Sequence, residues 1–119
     1  MARVDPHDPG VEAARRRSEE AGDGAGSPIK VGKGEVRLGT ASWTDPTMTA
    51  SGVFYPEGAR TAEDRLKFYA SQFSMVEVDA TYYVLPSKRT AESWVERTPK
   101  DFVFDIKAHA LMTGQPTEV

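Results

Sequence analysis

The chain contains no cysteine among its 119 residues. Disulfides and thiolate metal sites are therefore excluded, and with them the small secreted scaffolds that disulfides stabilise. No apolar run approaches the roughly 20 residues that a membrane span needs. The N-terminus also lacks the apolar segment of a secretory signal. These absences predict a cytoplasmic protein with no membrane partner.

Aromatic residues are missing from the first part of the chain, since no Trp, Tyr or Phe precedes Trp43. That part also contains clusters of Pro, Gly and Asp, and residues 22–28 have the composition of a flexible linker. Residues 1–34 are therefore predicted to form a disordered N-terminal extension. The hydrophobic core is assigned to a domain at residues 35–119.

Charge of one sign is also lacking, because 15 Lys and Arg residues face 18 Asp and Glu residues. A strongly basic surface, as expected of a nucleic-acid-binding protein, is absent. The run Arg15–Arg17 is followed by Glu19 and Glu20. This pattern favours a solvated charge cluster over a nucleic-acid contact.

The domain shows strands that alternate with helices. Apolar strand patterns occur at Val36–Ser42, Met75–Thr81 and Phe102–Lys107. A capping box precedes a helix predicted at residues 62–72, and Ser87 is the predicted N-cap of a second helix. This alternation predicts an α/β fold with three parallel strands and two helices.

The two faces of the predicted strands differ in polarity. Val76 and Val78 point to one face of the sheet, and Glu77 and Asp79 to the other. The third strand repeats the division, with Phe102, Phe104 and Ile106 on one face and Val103, Asp105 and Lys107 on the other. Helices would cover the apolar faces. Because an open, doubly wound sheet needs two apolar faces, the pattern favours a closed barrel with a polar interior.

Two interpretations of these charges remain open. Lys107 could compensate Glu77 or Asp79 in a structural ion network. Alternatively, the same groups form a site near the C-terminal ends of the strands, where barrel enzymes place their chemistry. For Arg37 and Asp105 the structural interpretation is favoured.

Several motifs resemble the domain of unknown function 72 family, also called YecE-like. The similarity extends from about Val36 to the end of the chain. It rests on the opening strand Val36–Trp43, the loop motif Phe54-Tyr55-Pro56, Leu66, Phe68-Tyr69-Ala70 and Phe73 in the first helix, Val76-Glu77-Val78-Asp79 with Thr81-Tyr82-Tyr83 and Pro86, and Trp94, Thr98-Pro99, Phe102-Val103-Phe104 and Lys107-Ala108.

This resemblance implies a TIM-type β/α barrel, of which residues 35–119 would be an incomplete, N-terminal part. Barrels of this family are similar to those of apurinic endonucleases and sugar isomerases, which implies nucleic-acid binding as one possible function. Those enzymes hold metals with several histidines, whereas this chain has only His7 and His109. No metal site and no cofactor are therefore expected.

Three functions are compatible with these observations. In the first, an enzyme acts on a polar or phosphorylated small molecule, with Glu77 or Asp79 as the acid–base group and Lys107 neutralising negative charge. The candidate substrate-binding residues are Trp43, Thr81, Tyr82, Tyr83 and His109. In the second, the aromatic residues stack on the bases of a nucleic acid. In the third, the chain is an inactive truncated product.

Overall fold

The computed structural model describes residues 7–10, 12–13, 16, 26–50 and 52–117. Four strands are present in these ranges: β1 (Ile29–Val31), β2 (Gly34–Val36), β3 (Met75–Val78) and β4 (Val103–Ile106). Three α-helices lie entirely within these ranges: α1 (Pro46–Thr49), α2 (Ala62–Gln72) and α3 (Lys88–Glu96). Short 3-10 helices occur at Ala80–Tyr82 and Ala110–Thr113. The fold is thus of the mixed α/β type.

An antiparallel hairpin spans the predicted boundary at residue 35. Strands β1 and β2 pair with Ile29 opposite Val36 and Val31 opposite Gly34. Gly32 has a φ of 58°, which suits a tight hairpin turn. Residues 29–36 therefore form a hairpin, although the sequence places residues 29–34 in the disordered extension. Helical backbone also occurs at residues 9–10, 12–13 and 16, and the other residues before 26 lie outside the described ranges.

The central sheet is parallel, as predicted. Strand β3 pairs with β4 in a register that sets Met75 opposite Val103 and Glu77 opposite Asp105. On the other side of β3, the Glu77 N–H donates to the Thr40 carbonyl at 3.0 Å, and the Ser42 N–H donates to the Glu77 carbonyl at 2.9 Å. Residues 38–42 thus lie parallel to β3. The predicted strand Val36–Ser42 is divided between the hairpin and this parallel segment.

Two residues explain how the parallel segment approaches β3. A Cβ atom at Gly39 would lie 2.1 Å from the Met75 carbonyl oxygen, so only glycine fits there. Arg37 then joins the N-terminal ends of the strands, because its Nη1 donates to the Ser74 carbonyl at 3.2 Å and to the Asp101 carbonyl at 2.5 Å. The structural interpretation of Arg37 is consistent with these contacts.

Helix α2 has the bounds that its sequence predicts. Thr61 and Asp64 form a capping box, in which the Asp64 N–H donates to the Thr61 hydroxyl at 3.1 Å. The apolar side of the helix buries Leu66, Tyr69 and Ala70. Helix α3 begins after the predicted N-cap, since the Ser87 hydroxyl accepts from the Thr90 N–H. Local sequence signals are therefore sufficient for both helices.

The core lies between α2, the loop before it and the apolar face of β3. Val76 and Val78 are buried and Glu77 is exposed, which confirms the predicted faces of this strand. The apolar face of β4 is less covered, because Ile106 remains 48% exposed. The buried hydrophobic core cluster consists of Trp43, Tyr55, Ala59, Leu66, Tyr69, Val76 and Val78.

The second predicted strand, Met75–Thr81, ends earlier than its sequence suggests. Regular pairing stops at Val78, and the chain turns through Asp79 into the 3-10 helix Ala80–Tyr82. The third predicted strand, Phe102–Lys107, is confirmed with Val103–Ile106 as its paired part. Both ends bring polar residues to the same edge of the sheet.

Candidate functional site

A polar cluster lies at the C-terminal ends of β3 and β4. The Nζ atom of Lys107 is 3.8 Å from Oδ1 of Asp79, and the two side chains remain 53% and 43% exposed. The carboxyl of Asp79 is also near enough to that of Glu77 to raise the Glu77 pKa. Asp79 therefore lies near both Lys107 and Glu77, and the charges of Asp79 and Lys107 both act on the Glu77 carboxyl. Such proximity follows from the parallel register, because adjacent parallel strands end at one edge.

The Glu77 carboxyl has a raised pKa. The main cause is its hydrogen bond to the Asp79 carboxyl, followed by the negative charge of Asp79. Partial desolvation and the charge of Asp105 raise the pKa further, whereas Lys107 lowers it. Two adjacent carboxyl groups resist simultaneous ionisation, so one of them keeps a proton to a higher pH. The pair can thus hold and release a proton on an open face of the sheet.

Lys107 also contacts an aromatic ring. Its Nζ atom lies 5.2 Å from the ring centroid of Tyr82, which is within the range of a cation–π interaction. Oδ1 of Asp79 is shielded from solvent and accepts no hydrogen bond from the described residues. The Lys107 ammonium group lies 3.8 Å from this oxygen. That distance allows an ion pair but is too long for a direct hydrogen bond.

Trp43 lies in the core, although the sequence suggests that it binds substrate. Its side chain is 9% exposed, and its ring lies 5.3 Å from that of Trp94 and 6.3 Å from that of Phe104. Strand alternation would place it on the polar face with Ala41, which bridges to Glu77. Ser42, however, has a φ of 74°, and this left-handed residue interrupts the alternation. Trp43 consequently turns into the core.

Thr81 is also not positioned to contact a ligand directly. It is 1% exposed, and its hydroxyl lies 2.9 Å from the Val78 carbonyl and 2.6 Å from the Lys107 carbonyl. The sequence names Thr81 as a candidate substrate-binding residue, but its hydroxyl is hydrogen-bonded to backbone carbonyls and is buried. Its contacts instead join the end of β3 to the end of β4.

Tyr82 lies beside the polar cluster, Tyr83 contacts Tyr82, and His109 contacts the backbone of Tyr83. The two tyrosine rings meet edge to face with centroids 5.0 Å apart, and Tyr83 is 76% exposed. Nδ1 of His109 accepts from the Leu111 N–H at 3.2 Å, so Nε2 carries the proton and donates to the Tyr83 carbonyl at 3.1 Å. His109 thereby holds two loops together. Tyr82 offers aromatic surface beside Lys107, and the Tyr83 ring extends that surface from Tyr82.

Asp105 joins the site although the sequence favours a structural role for it. It lies directly opposite Glu77 in the parallel register, and its charge contributes to the raised pKa of Glu77. The sequence shows only that both acids lie on the polar faces of their strands. That they lie directly opposite each other depends on the pairing register, which is a tertiary property.

Among the described residues, no group of three or more His, Cys, Asp or Glu side chains has an arrangement that could hold a metal ion. No helix in the described ranges combines the length and apolar character that crossing a bilayer requires.

The parallel units and the polar residues at their ends define an α/β protein with a candidate site at the strand termini. The chain belongs to the family described as protein of unknown function DUF72, whose model matches residues 37–118. It is similar to UPF0759 protein YunF of Bacillus subtilis (strain 168), with 34% identity over 79 residues. That match covers 66% of this chain and 26% of the relative. No solved structure matches the chain.

Proposed function

We propose that this chain supplies the first parallel units of a TIM-type β/α barrel that binds a polar small molecule at the C-terminal ends of its strands. The shared direction of residues 38–42, β3 and β4, in chain order, supports this architecture. So does membership of a family whose resemblance implies such a barrel. The partly exposed apolar face of β4 is consistent with further units packing there.

The carboxyl pair of Glu77 and Asp79 carries the proposal. A carboxyl with a raised pKa is suited to donate a proton to a ligand, and its neighbour is suited to accept one. Glu77 is therefore the proposed acid and Asp79 the group that sets its protonation. Lys107, next to Asp79, would stabilise negative charge that develops on a bound molecule.

The charges of the cluster favour an uncharged, hydroxyl-bearing ligand over a phosphorylated one. Glu77, Asp79 and Asp105 share one edge with Lys107, and the ammonium is already paired with Asp79. A phosphate would meet more negative than positive charge there. Tyr82 and Tyr83 would pack against the apolar part of the ligand.

The same charges argue against the nucleic-acid alternative. The exposed ring of Tyr83 could stack on a base, but the polar cluster contains Glu77, Asp79 and Asp105 and only one described cation, Lys107. Nucleic-acid binding gains much of its affinity from cations that neutralise phosphates. We therefore favour the small-molecule function, with the nucleic-acid function as the second candidate and an inactive chain as the third.

Carboxyl-detected NMR of the intact protein tests the proposal. The probes are D-glucose, inorganic phosphate and oligothymidylate. The expected result is that D-glucose shifts the Glu77 and Asp79 carboxyl signals, and that Asp79→Asn abolishes the shift. Glu92→Gln, on the exposed side of α3, is the matched control and should retain it. A response to oligothymidylate alone would favour nucleic-acid binding. No response to any probe, together with an ordinary pKa of Glu77, would contradict the proposal.

A further inference from the structure

Thr81 occupies the centre of the 3-10 helix Ala80–Tyr82 and contacts the neighbouring strand through its hydroxyl. The shorter contact, 2.6 Å, is to the carbonyl of Lys107. The Val78 carbonyl, at 2.9 Å, also accepts the Lys107 N–H at 3.2 Å. Since a hydroxyl has one proton, the short contact assigns it to the Lys107 carbonyl. Thr81 therefore fixes the backbone of the residue that follows β4.

The residues that flank Thr81 contact the side chain of the same lysine. Asp79 precedes the 3-10 helix and pairs with the ammonium group, and Tyr82 ends it and places its ring under that group. One short turn thus reaches Lys107 through a carboxylate, a hydroxyl and an aromatic ring. The hydroxyl contact is the buried one, at a residue that is 1% exposed.

We infer that Thr81 is a positioning residue, which holds Lys107 against Asp79 and Tyr82 and thereby sets the charge around the Glu77–Asp79 pair. Packing alone does not require a hydroxyl at a buried position, because valine has the same β-branched shape. The inference rests on the proposed function only in treating Glu77 as the acid of the site. The position of Lys107 relative to Tyr82 can be measured independently of that role.

The test uses the intact protein with Thr81→Val and Thr81→Ser. The ring of Tyr82 should shift the Lys107 ε-methylene proton signal upfield, and Tyr82→Leu gives the reference without a ring. Thr81→Val should lose this upfield shift and raise the pH midpoint of Glu77, because the cation moves away from the acids. Thr81→Ser, which keeps the hydroxyl, should restore both signals.

Thr98→Val is the matched control, since the Thr98 hydroxyl also donates to a backbone carbonyl but lies at the end of α3. It should leave both signals unchanged, even where it lowers stability. If Thr81→Val does not fold, Thr81→Cys keeps a weaker donor and should give intermediate shifts.

The outcomes separate this inference from the proposed function. A Lys107 signal that stays upfield in Thr81→Val would overturn the positioning role, whatever Glu77 does. An ordinary pKa of Glu77 in the unsubstituted protein would contradict the proposed acid, while the Lys107 signal would still decide the role of Thr81.

Discussion

The hydroxyl of Tyr69 connects helix α2 to the first parallel segment through Thr40. It accepts from the Thr40 N–H at 2.7 Å and lies 2.9 Å from the Thr40 hydroxyl. It also donates to the Met75 carbonyl at 3.2 Å, at the start of β3. Because Tyr69 is fully buried, these contacts are shielded from water. One side chain therefore joins a helix and two neighbouring parallel segments.

Tyr69→Phe should lower the free energy of unfolding by about 1–3 kcal/mol, because the Thr40 N–H loses its buried acceptor. Equilibrium urea unfolding of the intact protein measures this change. Phe68→Leu, at a partly buried neighbour in the same helix, is a control for altered packing without a lost hydrogen bond. Equal stability of Tyr69→Phe and the unsubstituted protein would contradict the role of the hydroxyl.

Alkaline pH should destabilise the fold through the buried tyrosines. Burial raises the pKa of Tyr69, and burial likewise raises that of Tyr55. Below about pH 10 both phenols are neutral whether the chain is folded or unfolded. Above that pH the unfolded chain loses protons that the folded chain retains, so stability falls as pH rises. Tyr69→Phe should reduce the slope of unfolding free energy against pH, and an unchanged slope would contradict the prediction.

Substitutions beside Glu77 should move its pKa in opposite directions. Asp79→Asn removes the largest cause of the raised pKa and should lower it, whereas Lys107→Met removes a nearby cation and should raise it further. Carboxyl-detected NMR titration measures both shifts, with Glu96→Gln on α3 as a distant control. Shifts in the same direction would be inconsistent with the described cluster.

The raised pKa of Glu77 also has a consequence for stability. The folded chain takes up this proton at a higher pH than the unfolded chain does. Stability should therefore decrease as pH rises from the ordinary glutamate range through the folded pKa. Glu77→Gln should remove this component from a series of urea unfolding curves. An unchanged pH dependence would contradict the prediction.

Trp43→Ala should cost about 3–5 kcal/mol of stability, because the buried ring packs against both Trp94 and Phe104. Tyr83→Ala is the matched control, since that ring is 76% exposed and its removal should change stability by less than about 0.5 kcal/mol. Thermal unfolding measures both. Comparable small effects of the two substitutions would contradict the core position of Trp43 and favour the substrate-binding role that the sequence suggests.

Gly39→Ala should disrupt the approach of the first parallel segment to β3. The added methyl group would lie within 2.1 Å of the Met75 carbonyl oxygen, so the backbone must move. Gly58→Ala is the control, because nothing lies within 4 Å of a Cβ atom there. Amide hydrogen exchange should show lost protection at Glu77 in the first variant only. Retained protection at Glu77 would contradict the close approach.

Local sequence signals determined helices α2 and α3, the parallel order of β3 and β4 and the polar face of β3. The capping box at Thr61, the N-cap at Ser87 and the alternation of Val76, Glu77 and Val78 are properties of neighbouring residues, and each is found as predicted. These features depend on backbone hydrogen bonding and on the period of two along a strand.

Tertiary structure decided which polar and aromatic residues belong to the site. The left-handed backbone at Ser42 turns Trp43 into the core, and the register of β3 with β4 places Asp105 opposite Glu77. The hairpin of residues 29–36 likewise depends on pairing that the polar composition of the first residues concealed. In each case, contacts between segments distant in sequence, or one backbone angle, outweighed the local pattern. Sequence alone therefore determined α2, α3 and the paired strands β3 and β4, whereas contacts between segments determined the hairpin and the site.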